Sequence, residues 1–303
     1  MKPIVECVPN FSEGRNQAVV NALTAAVRAV KGVALLDQHM DADHHRSVLT
    51  FAGPPDLVGQ AAYEAVRTAI GLIDLKSHSG QHPRVGAADV VPFIPLREST
   101  MAQCIELAKH VGARIGSELK VPVFLYERAC SEPDRATLEA IRRGGLEGLG
   151  TRMRTDSRWV PDYGPCALHP TAGAIAVGAR PPLIAFNVIL ETTDLSIAHA
   201  IAKKIRLSEG GLPSVKALGF ELRSRGQVQV SMNLTNFRET PIHTAYEAVK
   251  QEAAQRGVSI SGSELVGLIP QEALTETVAH DLQLGRLASD QVLEKRMNLG
   301  EEL

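Results

Sequence analysis

The sequence predicts an α+β fold in which one unit is built twice. Three observations lead there. Strands and helices follow the same order in both halves, a proline pair separates the halves, and 303 residues with 44 % hydrophobic content suffice to fill two modest cores.

In the first half the apolar residues after Met1-Lys-Pro enter a strand over 3–9, followed by a helix over 16–31 and a strand over 33–38. A strand over 47–52, a long amphipathic helix over 54–74 and the buried apolar run over 89–96 come next. This β-α-β-β-α-β order is the ferredoxin-like split βαβ pattern. A helix over 98–118, opened by the capping residues Glu98-Ser99-Thr100, a strand over 121–126 and a helix over 133–148 extend it. The second half repeats the rhythm with strand 182–190, helix 194–208, strands 215–223 and 226–233, helix 240–256, strand 258–267 and helix 270–283. Thr193-Asp194 supplies a cap, and Pro241 sits at a helix start. Gln227, Gln229 and Ser231 alternate with Val228, Val230 and Met232, the period of a half-buried strand. Ser224-Arg-Gly226 supports a hairpin, whereas Met40-Asp-Ala-Asp-His-His45 makes a longer polar connection. Arg180-Pro181-Pro182 marks the junction, giving domains of 1–180 and 181–303. Sheets of this kind leave one face bare of helices, and two bare faces can pack together or flank a ligand.

A formal charge of −2 without any basic tract argues against nucleic acid as a partner. No apolar run is long enough to span a bilayer, and the opening residues resemble a strand rather than a signal peptide, so a cytoplasmic protein is expected. Cys7, Cys104, Cys130 and Cys166 are widely spaced with no CxxC pair, which fits free thiols in a reducing compartment.

The stretch His78-Ser-Gly-Gln-His82-Pro-Arg84-Val-Gly86-Ala-Ala-Asp89 gathers two histidines, an arginine and an aspartate in a loop shaped by Gly80, Pro83 and Gly86. Loops carried on rigid elements are where catalytic groups concentrate. The plain alternative is a polar loop satisfying its own backbone. Arg84 suits either a bidentate grip on a carboxylate or a salt bridge to Asp89. Asp162-Tyr163-Gly164-Pro165-Cys166-Ala167-Leu168-His169-Pro170-Thr171 is too rich in proline and glycine for a helix and reads as a shaped wall or a rigid interdomain linker. Cys166 within it is a reactive thiol or a small filler. Asn10-Phe-Ser12-Glu13-Gly14 joins the first strand to the first helix, where backbone N–H groups can hold a carboxylate or Asn10 and Ser12 can simply cap the helix. His39-Met-Asp41-Ala-Asp43-His44-His45-Arg46 carries residue types that ligate divalent metals, but no motif fixes their spacing. Asn233 and Asn236 are weaker candidates.

Five blocks then identify a resemblance. Val5 to Asn16, the His78–Asp89 loop, Trp159-Val-Pro-Asp-Tyr-Gly-Pro165, Leu183-Ile-Ala-Phe-Asn-Val188 and Gly262-Ser-Glu-Leu-Val-Gly-Leu-Ile-Pro270 resemble, in order, the formiminotransferase family. The resemblance implies two α/β subdomains whose sheets face each other across a folate tunnel. It implies transfer of the formimino group from N-formimino-L-glutamate to N5 of tetrahydrofolate, a co-substrate, releasing glutamate and 5-formiminotetrahydrofolate. His82 matches the family's catalytic histidine and is expected to shuttle the proton. Asn10, Ser12, Asp37, Arg46, His78, Arg84 and Asp89 are the expected substrate contacts, with Asp37 at a strand end as one carboxylate partner for His82. The segment from Asp162 to Thr171 is the expected folate-binding segment, with Tyr163 stacking on the pterin and Asp162 accepting from its N–H groups. No metal is expected. The assembly expected is a homodimer. Only Glu301-Glu302-Leu303 follow the last helix, so a separate cyclodeaminase is expected to finish the pathway. Two alternatives stay open: a related enzyme acting on 5-formyltetrahydrofolate, and a metallohydrolase using His39–His45.

Overall fold

The computed structural model describes residues 2–78, 83–273, 282–284 and 291–299. The chain forms two compact units that part at the Arg180–Pro181 bond.

The first unit is built on a seven-stranded sheet. Its first strand is interrupted: β1 (Val5–Cys7) and β2 (Asn10–Phe11) follow one another along the same lane, each antiparallel to β4 (Arg46–Gly53) and β5 (Ala88–Pro95). Pro9, which has no N–H to give a ladder, sits in the break, and its carbonyl accepts from Leu49 N at 3.2 Å. The strand expected over 3–9 is therefore shortened to Val5–Cys7, and the lane resumes beyond that range at Asn10–Phe11. β3 (Ala34–Asp41) pairs antiparallel with β4, so the order across this part is β3, β4, β1/β2, β5.

Beyond β5 the sheet becomes parallel, through β7 (Ile175–Ala179) to β6 (Val123–Glu127). The sequence pattern does not predict β7. Its residues, Ile175-Ala-Val-Gly-Ala179, are mostly small and of weak strand propensity, yet they lie fully buried between two parallel neighbours. Small size is what the position demands, because a β-carbon on Gly178 would lie 2.4 Å from the Tyr126 carbonyl oxygen and 2.5 Å from its ring.

Helices α1 (Gln17–Arg28), α2 (Pro55–Leu72) and α3 (Met101–Arg114) pack their apolar stripes on one face, with Val20, Leu23 and Val27 of α1 and Val58, Ala62, Val66 and Ala69 of α2 buried against Leu49, Phe51 and Phe93. α3 opens with a full capping box between Thr100 and Gln103 and ends in a wider turn over Ile115–Leu119. The single helix expected over 133–148 is broken into α4 (Leu138–Arg142) and α5 (Gly145–Thr155), because Gly144 and Gly145 adopt φ of +74° and +62°. Together with Trp159 these helices cover the other face at the β5–β7–β6 end, burying Phe124, Tyr126, Leu149 and Met153.

The second unit is a four-stranded antiparallel sheet in the order β11 (Ile260–Val266), β8 (Ile184–Leu190), β10 (Gln227–Leu234), β9 (Val215–Leu222). Counting β1/β2 as one strand, the first four strands of each unit take the same lateral order: fourth, first, third, second. α6 (Leu195–Ile205), capped by Asp194, and α7 (Ile242–Gln255) enclose its core with Phe186, Val188, Val228, Val230 and Met232. The alternation read along β10 places Val228, Val230 and Met232 in that core as expected, while Gln229 is buried too. Of the helix expected over 270–283, a single turn at Gln271–Ala273 is described and most of the rest lies outside the described residues.

Gly178→Ala should destabilise the first unit by about 1–3 kcal/mol, since the Tyr126 backbone oxygen has no room to yield. A denaturant midpoint unchanged from wild type would contradict that account of β7.

Candidate active site

Three segments of the first unit meet at one end of the sheet: the turn after β2, the connection between β3 and β4, and the loop from His78 towards β5. Glycines make the meeting possible. A β-carbon on Gly14 would sit 2.1 Å from the Asp41 carbonyl oxygen and 2.4 Å from Arg46 N, and one on Gly86 would sit 1.9 Å from the Ala174 carbonyl oxygen. Ser12 closes the arrangement from the other side, its hydroxyl donating to Gly86 O at 2.7 Å and its N–H to Ala87 O at 2.8 Å. Arg15 Nε donates to Ala42 O at 3.0 Å.

The side chains gathered there are ionisable. Oε1 of Glu13 accepts from the backbone N–H groups of Arg15 (2.8 Å) and Asn16 (2.9 Å) and lies 3.1 Å from His45 Nε2. The His45 ring stacks on His78 with centroids 3.7 Å apart and planes 13° from parallel. Arg84 lies against the same His78 ring, with Nη1 2.9 Å from Nε2 and a second contact to Nδ1, while Nη2 donates to His44 O at 3.3 Å. Asp41 holds His44 twice, accepting its N–H at 2.8 Å and lying 2.9 Å from Nδ1.

Burial opposes ionisation of both carboxylates, but their hydrogen bonds prevail. Donors from Asn16 and Arg15, then His45, hold Glu13 below the usual carboxylate range. The His44 ring and N–H, helped by the charge of His39, push Asp41 far below it. Burial lowers Arg84 to about 10, with Asp89 opposing the shift and Arg15 and Arg142 adding to it.

His82 lies outside the described residues. His78, Arg84 and Ser12 belong to the cluster. Arg46 begins β4 beside it, in register with Asp41. Asn10 is folded back within β2, its amide donating to Val8 O at 3.2 Å. Asp37 is not at a strand end as expected, because β3 runs on to Asp41 and pairs Asp37 with Thr50. Asp89 is 2 % exposed and is spent on structure: Oδ1 accepts Val85 N at 2.6 Å, and Oδ2 accepts both Nε (3.0 Å) and Nη2 of Arg142. The supposed loop at His39–Arg46 is strand up to Asp41, so only residues 42–45 turn. Among the described residues no three His, Cys, Asp or Glu side chains converge to hold a metal. His44 and His45 each engage their own carboxylate instead.

Asp162–Thr171 is part of the first unit rather than a linker between units. At its start, Asp162, Tyr163, Gly164 and Pro165 line an open cleft of about 800 Å³ together with Arg114 and Lys120. The Tyr163 side chain packs against Gly112 and Gly116. Asp162 is not available to a pterin: Oδ2 accepts Leu125 N (2.7 Å) and Arg135 Nη1 (2.6 Å), while Oδ1 accepts Arg135 Nη2 (3.2 Å) and the Ser131 hydroxyl. Those four donors use the acceptor capacity of a carboxylate. Cys166 is exposed, its thiol 3.5 Å from Met153 O, and Ala167 and Pro170 are exposed beside it. Leu168 joins the Trp159 core, and His169 Nδ1 accepts Ala172 N at 3.0 Å. The far end backs the catalytic-loop candidate, with Thr171 O accepting Leu75 N at 2.9 Å. Asn233 and Asn236 belong to the second unit, on β10 and just after it.

Sequence reasoning missed Glu13, His45, Arg135 and Arg142 as individual side chains. Glu13 did leave a signal: it lies three residues before Asn16, the N-cap of α1, where a carboxylate can collect unpaired N–H groups. The two arginines left none, since only tertiary packing brings them to their carboxylates.

Comparison with known proteins adds the lineage. A family model described as the formiminotransferase domain, N-terminal subdomain, matches residues 4–180, and one described as the formiminotransferase domain matches 185–295. A glutamate formimidoyltransferase of Streptococcus pyogenes is 46 % identical over 284 residues, spanning 94 % of this chain and 95 % of the relative. One of Thermoplasma acidophilum is 45 % identical over 97 % of both chains. The formimidoyltransferase-cyclodeaminase of Rattus norvegicus is 44 % identical over 92 % of this chain and 52 % of its own length. The chain belongs to the formiminotransferase domain family.

Proposed function

We propose that the protein is a glutamate formimidoyltransferase, moving the formimino group of N-formimino-L-glutamate to N5 of tetrahydrofolate. The observation that carries this reading is the near-full-length identity to relatives bearing that name, 46 % over 94 % of the chain. The assembled cluster supports it chemically. N5 attacks the amidine carbon, its proton needs a base, and the departing glutamate nitrogen needs an acid. Imidazoles serve both needs near neutral pH, and the cluster stacks His45 of the β3–β4 turn on His78, which lies four residues before His82 in the sequence. Arg84, half-buried and cationic, suits a substrate carboxylate. His82 is the proposed proton shuttle. In the folate role we retain the cleft-lining Tyr163, Gly164 and Pro165 and assign Asp162 to support. Among the described residues no helix is long and apolar enough to cross a membrane.

The direct test is tetrahydrofolate-dependent release of glutamate from N-formimino-L-glutamate. No release would sink the reading; release from 5-formyltetrahydrofolate turnover alone would favour the related folate enzyme. His82→Ala should lower turnover by ~10²–10⁴-fold with an unchanged melting curve. His78→Ala should cost less, and the reverse ranking would move the shuttle to His78.

Tyr163→Ala should weaken binding of a stable reduced folate in calorimetric titration while leaving the melting temperature near wild type. Asp162→Ala should act differently, losing about 3–5 kcal/mol of stability by stranding the buried Arg135. Equal melting temperatures for the two variants would overturn this division of roles.

A further inference from the structure

Glu13 and His45 have the geometry of a working pair. One oxygen of Glu13 is fixed by two backbone N–H groups and presented to His45 Nε2. An imidazole that donates Nε2–H to a carboxylate is left with Nδ1 as the nitrogen that gains and loses a proton, so the partner sets both the working nitrogen and the plane of the ring. His45 is 9 % exposed and held at φ +50°, a backbone conformation uncommon for a residue with a side chain. That conformation lays its ring flat on His78, the imidazole next to Arg84. Gly14 is the third part of the device, since any side chain there would separate Glu13 from the β3–β4 turn.

We propose that His45 is a second acid–base histidine of the transfer and that Glu13 is its positioning residue; the inference rests on the formimidoyltransferase reading. N5 of tetrahydrofolate bonds to the formimino carbon and loses its proton to His82. The tetrahedral intermediate then collapses. The bond from carbon to the glutamate nitrogen breaks, its electron pair stays on nitrogen, and that nitrogen takes the Nδ1 proton of His45, which enters the turnover as the imidazolium and leaves this step as the neutral ring. The Nε2 proton stays directed at Glu13 throughout. His82 then releases its proton to solvent and His45 takes one up from solvent, so the turnover gains and loses none.

The experiment compares the wild type with His45→Asn and Glu13→Gln in the glutamate-release assay, measuring kcat and KM separately. Asparagine tolerates the left-handed backbone, so the turn is kept while the imidazole is removed. The expected result is a kcat lower by ~10²-fold with KM little changed, and partial recovery when imidazole is added to the His45→Asn protein. Glutamine keeps an oxygen opposite Nε2 but not the charge, and should lower kcat by about 10–100-fold. An active wild type beside a folded His45→Asn protein that retains more than roughly a third of its kcat overturns the inference alone. Should His45→Asn not fold, wild-type kcat in Glu13→Gln overturns it. A wild type that releases no glutamate overturns the functional reading and this inference with it.

Discussion

The candidate site depends on how closely three stretches of backbone approach one another. Gly14 sits against the carbonyl of Asp41, Gly86 against that of Ala174, and Gly173 against that of Val85, each nearer than a β-carbon would permit. Close approach is what lets Ser12 reach Gly86 and Thr171 reach Leu75. Histidines widely separated in sequence thereby come within ring-stacking distance. Without those glycines the same side chains would belong to three separate loops.

Two buried ion pairs keep that arrangement in place from behind. Arg142 on α4 holds Asp89 where β5 begins, and Asp89 in turn fixes the N–H of Val85. Arg135 holds Asp162, which fixes the N–H of Leu125 on β6. Such pairs contribute little net stability, because desolvation offsets their attraction, but breaking one leaves a buried charge without its counterpart. Here each carboxylate also accepts a backbone donor, so each pair specifies where a loop leaves the sheet. Asp89 and Asp162 stand beside the site chemistry and serve it by holding the loops around it.

Much of the fold was legible in the sequence because its apolar periodicities were strong. The helices α1 and α2 and the alternation along β10 came from local pattern. β7 escaped because Ala176 and Gly178 are chosen for fit under Tyr126, a tertiary requirement that opposes strand propensity. The break between α4 and α5 is written in Gly144-Gly145, whose positive φ a continuous helix does not accommodate. In the site, residue types clustered within one loop were legible, as with His78 and Arg84. Pairings across loops were not: the sequence places Asp89 beside Arg84, whereas packing hands it to Arg142.

The charge arrangement shows why one connection carries two adjacent histidines. Asp41 and Glu13 lie on different segments, and each is kept ionised by backbone donors as well as by an imidazole. His44 turns inward to Asp41 and is 3 % exposed, which anchors the turn. His45, reversed by its positive φ, turns the other way to Glu13 and His78. A single histidine could not both anchor the turn and face the neighbouring loop, since one ring has only one plane. Dividing the tasks leaves the second imidazole held by a charge, on a fixed backbone, stacked on the His78 ring that a cationic arginine, able only to donate, lies against. That division joins the local conformation of the β3–β4 turn to the proton chemistry proposed for the site.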